Sequence, residues 1–169
     1  MTFHPRRRTF LTERMVAVLV KNTLLGEIEV KDDEVIDFPQ GIPGFESEKR
    51  FALLPVPGTE FFVLLQAVGE GGPCFTLADP EPFFPDYRPE VEEEHFNLIE
   101  AGPEDEVVAY VILTVPEDFT QTTANLMSPI LINRSKKKGL QAVPSRSRYA
   151  TRHRLFPEPP PAKKAAGGR

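Results

Sequence analysis

The side chains of this sequence that could make or break bonds are few and poorly spaced for the task. His4 lies in an Arg-rich leader, His95 beside the acids Glu92, Glu93 and Glu94, and His153 between Arg152 and Arg154. None has a second histidine at metal-ligand spacing, and a lone cysteine, Cys74, excludes an internal disulfide and a thiolate cluster. Cys74 stands in the strand-like run CFTLA with no neighbouring cation to stabilise a thiolate, so it reads as an inert core thiol. The acids Asp32, Asp33 and Glu34 lack the spacing and glycine of a calcium loop. Nucleophile-elbow, Walker and dinucleotide motifs are absent. GEGG at 69–72 looks like a phosphate cradle only until one sees that no helix start follows it, and a hairpin turn fits better. Glu92 to Glu94 could serve as acid and base, yet charge runs on helices usually face water. No catalytic residue, metal ligand or cofactor is therefore assigned. The chain reads as a binding protein and not an enzyme.

Binding surfaces need a scaffold, and the scaffold is organised around residues 107–133. Val107 to Val115 is an aliphatic run without Gly or Pro, too short for a typical helix, and forms the expected central strand. Alternation puts Val107, Ala109, Val111, Leu113 and Val115 on one face and Val108, Tyr110, Ile112 and Thr114 on the other, so both faces must be covered. Pro116 ends it, and Pro129 leads into the short run Ile130 to Ile132. Upstream, strands are expected at Val16 to Val20, GEIEV (26–30), Val35 to Phe38, RFALLP (50–55), FFVLLQA (61–67) and CFTLA (74–78). The loop FPQGIPGFE (38–46) holds two prolines and two glycines, with Ile42 and Phe45 as plugs beneath it or as partner contacts. Pro89 to Ile99 is the one good helix candidate, and Leu140 to Val143 suits a last edge strand. About eight short strands and one short helix make an all-β barrel or sandwich.

At 169 residues the chain suits one domain. No apolar run reaches membrane-spanning length and no signal-peptide layout is present, so a cytoplasmic protein is expected. Residues 1–14 read as a disordered basic leader, with Met15 as an alternative start; 15–156 as the folded domain; 157–169 as a disordered Pro-rich tail. The charge is unevenly spread. Residues 21–133 carry five Lys or Arg against 23 Asp or Glu, whereas residues 134–169 carry eleven against one. An acidic body suits a basic protein partner and repels phosphate backbones.

The motifs GEIEV, FPQGIPGFE, RFALLP, FFPDY (83–87), VILTVPED (111–118), TANLMSPILIN (123–133) and SRYATRHRLF (147–156), in this order, resemble the flagellar assembly factor FliW family. TANLMSPILIN and FPQGIPGFE are the specific ones. The resemblance implies a small β-barrel-like cytoplasmic protein without catalytic activity, monomeric when free and free of membrane or direct nucleic-acid contact. It also implies two protein partners: flagellin, held near its helical end region before export, and the translational regulator CsrA, whose repression of flagellin translation is relieved. The candidate partner-binding residues are Phe83, Phe84 and Tyr87 with Asn125, Leu126 and Met127, which offer aromatic and flexible apolar contact in loops. Set against this is a packing role, in which the aromatics plug the barrel end and Asn125 bonds local backbone. The competing class is a barrel binding single-stranded nucleic acid along Arg134 to Lys138 and Arg146 to Arg154.

Overall fold

Short β-branched and aliphatic runs, parted by turns bearing Gly and Pro, form eleven strands in the computed structural model, which describes residues 17–157. They are β1 (Ala17–Asn22), β2 (Gly26–Lys31), β3 (Ile36–Asp37), β4 (Arg50–Pro55), β5 (Phe62–Ala67), β6 (Cys74–Ala78), β7 (Val107–Thr114), β8 (Thr123–Ala124), β9 (Ile130–Asn133), β10 (Lys138–Gln141) and β11 (His153–Arg154). The α-helix among the described residues, α1, spans Glu93–Leu98. The expectations for the leader and for the tail beyond Pro157 lie outside the described residues.

Seven strands close into a barrel in the order β7, β6, β5, β4, β3, β10, β9, and the ring is sealed where Val107 to Tyr110 of β7 pairs with β9. All neighbours are antiparallel except β3 and β10, whose single parallel pairing is Asp37 with Lys138. The other end of β7 leaves the ring to pair with β8, which carries β11 on its far edge. Register decides what faces in. Leu53 lies opposite Leu65, Leu77 opposite Ile112, and Val108 opposite Ile132, so the period-two pattern of each strand delivers its apolar set to one interior. Phe38, Phe51, Leu65, Leu77, Ile130 and Ile132 fill it, all fully buried. Each such side chain contributes roughly 1.5–3 kcal/mol of transfer free energy, which makes this interior the main stabilising feature of the domain.

The outer wall is covered on three sides. The β1–β2 hairpin lays Val20 and Val30 on Ala52, Leu54 and Leu64. It is tied down by Asn22, whose Nδ2 donates to Gln66 Oε1 at 2.8 Å. The end of α1 sets Ile99 against Leu131 and Leu140. Residues 80–88 with 147–156 cover Ala78, Val111 and Leu113. The central strand thus has both faces occupied, as alternation requires, except that Val115 lies past its end and is 44% exposed.

Three expectations are corrected. The helix does not begin at Pro89: the Glu92 amide donates to His95 Nδ1 at 3.0 Å, and this cap fixes the start at Glu93. It stops where the Ala101 amide reaches back to the Phe96 carbonyl at 2.9 Å, with Glu100 at φ 53°. The last strand is no edge: β10 covers 138–141 and closes the ring between β3 and β9, because Gly139 presents no side chain to the ring of Phe38. Cys74 is exposed and not in the core; it opens β6 on the outer side, where Asn22 Nδ2 lies 3.4 Å from its sulfur. The loop at 38–46 splits its two plugs. Ile42 is buried, while Phe45 stays 42% exposed with its ring edge-on to Phe75. Residues 69–72 form the turn between β5 and β6, closed by the Gly72 amide on the Gly69 carbonyl.

Candidate functional site

The segment after β6 cannot extend the strand, because Pro80 lacks a ladder donor and Asp79 turns the chain by accepting the Glu81 amide at 3.0 Å. The Phe83 and Phe84 amides then both donate to the Pro80 carbonyl, and the Tyr87 amide to that of Phe84. These two tight turns throw the aromatic rings onto the outer wall formed by β6 and β7. Phe83 packs against Phe62 and Phe156, with centroids 5.6 and 6.2 Å away. Phe84 meets the His153 ring, and Tyr87 meets Tyr149 edge-to-face at 4.9 Å.

The facing side of the site is the loop between β8 and β9. Its Asn125 amide donates to the Ile112 carbonyl and its Met127 amide to the Ala150 carbonyl, so the loop is pinned to β7 and to the C-terminal segment. The Asn125 side chain accepts the Ser128 amide at 3.1 Å, which closes the turn. One bond joins the two halves: the buried Tyr87 hydroxyl donates to the Leu126 carbonyl at 2.8 Å. Burial, reinforced by Tyr149 and Glu90, raises the Tyr87 phenol well above its ordinary range, so it remains a donor at any physiological pH.

Between these halves lies a cavity of about 360 Å³ lined by Phe83, Phe84, Tyr87 and Leu126 with Pro85, Asp86, Tyr149 and His153. Four of the six sequence-derived candidates therefore meet in one concavity. Asn125 and Met127 flank it on the same loop, half-buried, without lining it. The aromatics cover the side of the barrel and not its end. Tyr149 and His153 were missed as site residues because their arginine-rich surroundings masked two rings four residues apart. The signal available was the apolar and aromatic spacing Tyr149, His153, Leu155, Phe156 within SRYATRHRLF.

Four of the eight basic residues weighed as a nucleic-acid groove are tied to acids. Arg134 pairs with Glu106 at 3.2 Å and donates to the Tyr110 hydroxyl, Lys136 pairs with Asp105 at 3.1 Å, and Lys138 pairs with Glu100. Arg148 reaches Glu90 and lies over the Tyr149 ring. Among the described residues no group of three or more His, Cys, Asp or Glu is placed to hold a metal ion, and no helix is long and apolar enough to cross a membrane.

Comparison with known proteins agrees on one relationship. The family model described as "FliW protein" matches residues 19–155. A flagellar assembly factor FliW from Syntrophomonas wolfei is 41% identical over 148 residues, covering 88% of this chain and 94% of the relative. One from Geobacillus kaustophilus is 43% identical over 133 residues, covering 79% and 92%. A crystal structure of the flagellar assembly factor FliW superposes with a TM-score of 0.76 at 38% identity, covering 83% of this chain and 98% of that one.

Proposed function

The chain belongs to the FliW family of flagellar assembly factors, and on that premise we propose that it works by binding two proteins, flagellin and the translational regulator CsrA. Flagellin is held before export near its helical end region, and engagement of CsrA relieves repression of flagellin translation. The factor acts in the cytoplasm as a monomer when free, without catalysis and without touching nucleic acid or membrane itself.

The observation that carries this reading is the mainly apolar cavity at Phe84, Tyr87 and Leu126, whose two halves are joined by the Tyr87 to Leu126 bond. Such a preformed apolar concavity suits an apolar side chain of a protein partner better than a polar metabolite. The acidic stretch supports the second partner. Residues 21–133 hold 23 acids to five bases, and an RNA-binding regulator must present basic surface. Docked there, this chain would also repel the transcript.

Co-purification against flagellin and CsrA, separately and together, tests the reading. Phe84→Ser and Met127→Ser alter half-buried side chains and should reduce flagellin capture with the melting temperature unchanged. Tyr87 is left intact because its loss would perturb folding. Capture that survives both substitutions would remove this surface from the reading. Affinity for CsrA should fall as salt rises from low to physiological; salt-independent affinity would remove the electrostatic part.

A further inference from the structure

A second concavity, of about 260 Å³, lies between α1 and the 38–46 loop, and it shares no lining residue with the aromatic cavity. His95 lines it while being only 8% exposed. Its Nδ1 accepts the Glu92 amide, which leaves the ring proton of the neutral imidazole on Nε2. Nε2 has no hydrogen-bond partner among the described residues, and since no fully sequestered side-chain nitrogen or oxygen lacks one, it is open to solvent on a residue that lines the groove. It is therefore a donor open to water, available to any carbonyl that displaces that water.

The rest of the lining specifies what that acceptor belongs to. Leu140 forms an apolar floor, flanked by Leu98 and Val143, which are 37% and 55% exposed. Glu46 and Glu94 supply carboxylates, and no lysine or arginine lines the groove. Glu46 accepts the Gly44 amide at 2.9 Å and feels the charge of Lys49, the nearby cation. Glu94 makes no hydrogen bond or ion pair among the described residues.

We propose that this groove docks a short segment of a protein partner in which an apolar side chain sits beside lysine or arginine. The apolar group covers Leu98, Leu140 and Val143; a backbone carbonyl of the segment accepts from His95 Nε2; the cation faces Glu94 and Glu46. An acidic segment would meet two carboxylates of its own sign, and a wholly apolar one would strip water from them without replacement. The surface goes beyond the aromatic face and stands whether or not that face binds flagellin.

The test is an NMR titration of the ¹⁵N-labelled full chain with acetyl-Lys-Leu-Leu-Lys-amide and, separately, acetyl-Glu-Leu-Leu-Glu-amide. The lysine peptide should shift the amides of 41–46 and 94–98 and the His95 ring nitrogens, and the glutamate peptide should not. Glu94→Lys and Val143→Ser, both at exposed positions, should each keep the parent melting temperature. Glu94→Lys should weaken the lysine peptide about tenfold, the loss of one good charge pairing. Equal shifts with the glutamate peptide, shifts confined to 83–87, or parent-like binding by both variants would overturn the proposal. So would the same amides moving with protein concentration alone, which would make the groove a contact between copies of this chain.

Discussion

Gly139 and Phe38 compete for one volume: a Cβ built on Gly139 would lie 2.5 Å from Cζ of the Phe38 ring. Phe38 is fully buried and packs edge-to-face on Phe51 with centroids 4.9 Å apart, so it has little room to retreat. Gly139→Ala should therefore cost about 1–3 kcal/mol through overpacking, measured by denaturant unfolding. Phe38→Leu in the same chain should return part of that loss. Parent-like stability for Gly139→Ala alone would contradict the packing described.

Tyr87→Phe removes the hydroxyl that Leu126 receives at 2.8 Å, and should lower stability by about 0.5–1.5 kcal/mol. The same variant carries a pH signature. Burial raises the folded-state pKa above the unfolded value of ~10, so the folded state keeps its proton longer than the unfolded chain does. Stability is then intact below pH ~10 and is lost as pH rises beyond it. Melting curves of the parent should fall more steeply than those of Tyr87→Phe above that point; parallel curves would place the hydroxyl in water.

Asp105 gives the opposite sign. Hydrogen bonds from the Gly102 amide, Asn133 and Lys136 hold its carboxyl down at about 2, against an ordinary value of 3.8. A depressed folded pKa contributes stability that is present above the unfolded value and lost as pH falls through the folded one. The parent should lose stability between pH ~4 and ~2, and Asp105→Asn should flatten that loss, as read from melting temperature against pH. An unchanged slope would show that the three bonds do not persist in solution.

Val111→Asp and Val115→Asp separate burial from strand membership. Val111 is fully buried between the barrel wall and the aromatic layer, so an unpaired carboxylate there costs several kcal/mol against a total of roughly 5–15. Soluble expression should be abolished. Val115, exposed beyond the end of β7, should tolerate the same change with a normal melting curve.

The strands were legible wherever local alternation and turn chemistry agree. RFALLP and CFTLA become β4 and β6 at the residues expected, and GEIEV places Glu27 and Glu29 outward. Closure was not legible, since it depends on a parallel pairing between two short strands about a hundred residues apart, Asp37 with Lys138, which leaves no local pattern. Cys74 misled because a strand's first residue obeys alternation but not burial. At the site, Pro-bracketed aromatics announced the first half, whereas the half supplied by Tyr149 and His153 depends on the chain returning to the same wall through β11. The donor at His95 could not be read at all, because its orientation follows from a cap bond and not from residue type.

Besides β6, β7 serves two further neighbours: Val107 to Tyr110 stitches the ring shut against β9, and Leu113 with Thr114 carries the shelf on which the aromatic layer rests. Grip and closure are therefore mechanically linked through a single ribbon. Whatever seats itself on the shelf should slow amide hydrogen exchange along the seam as well as beneath itself, and anything that loosens the seam should release the cargo.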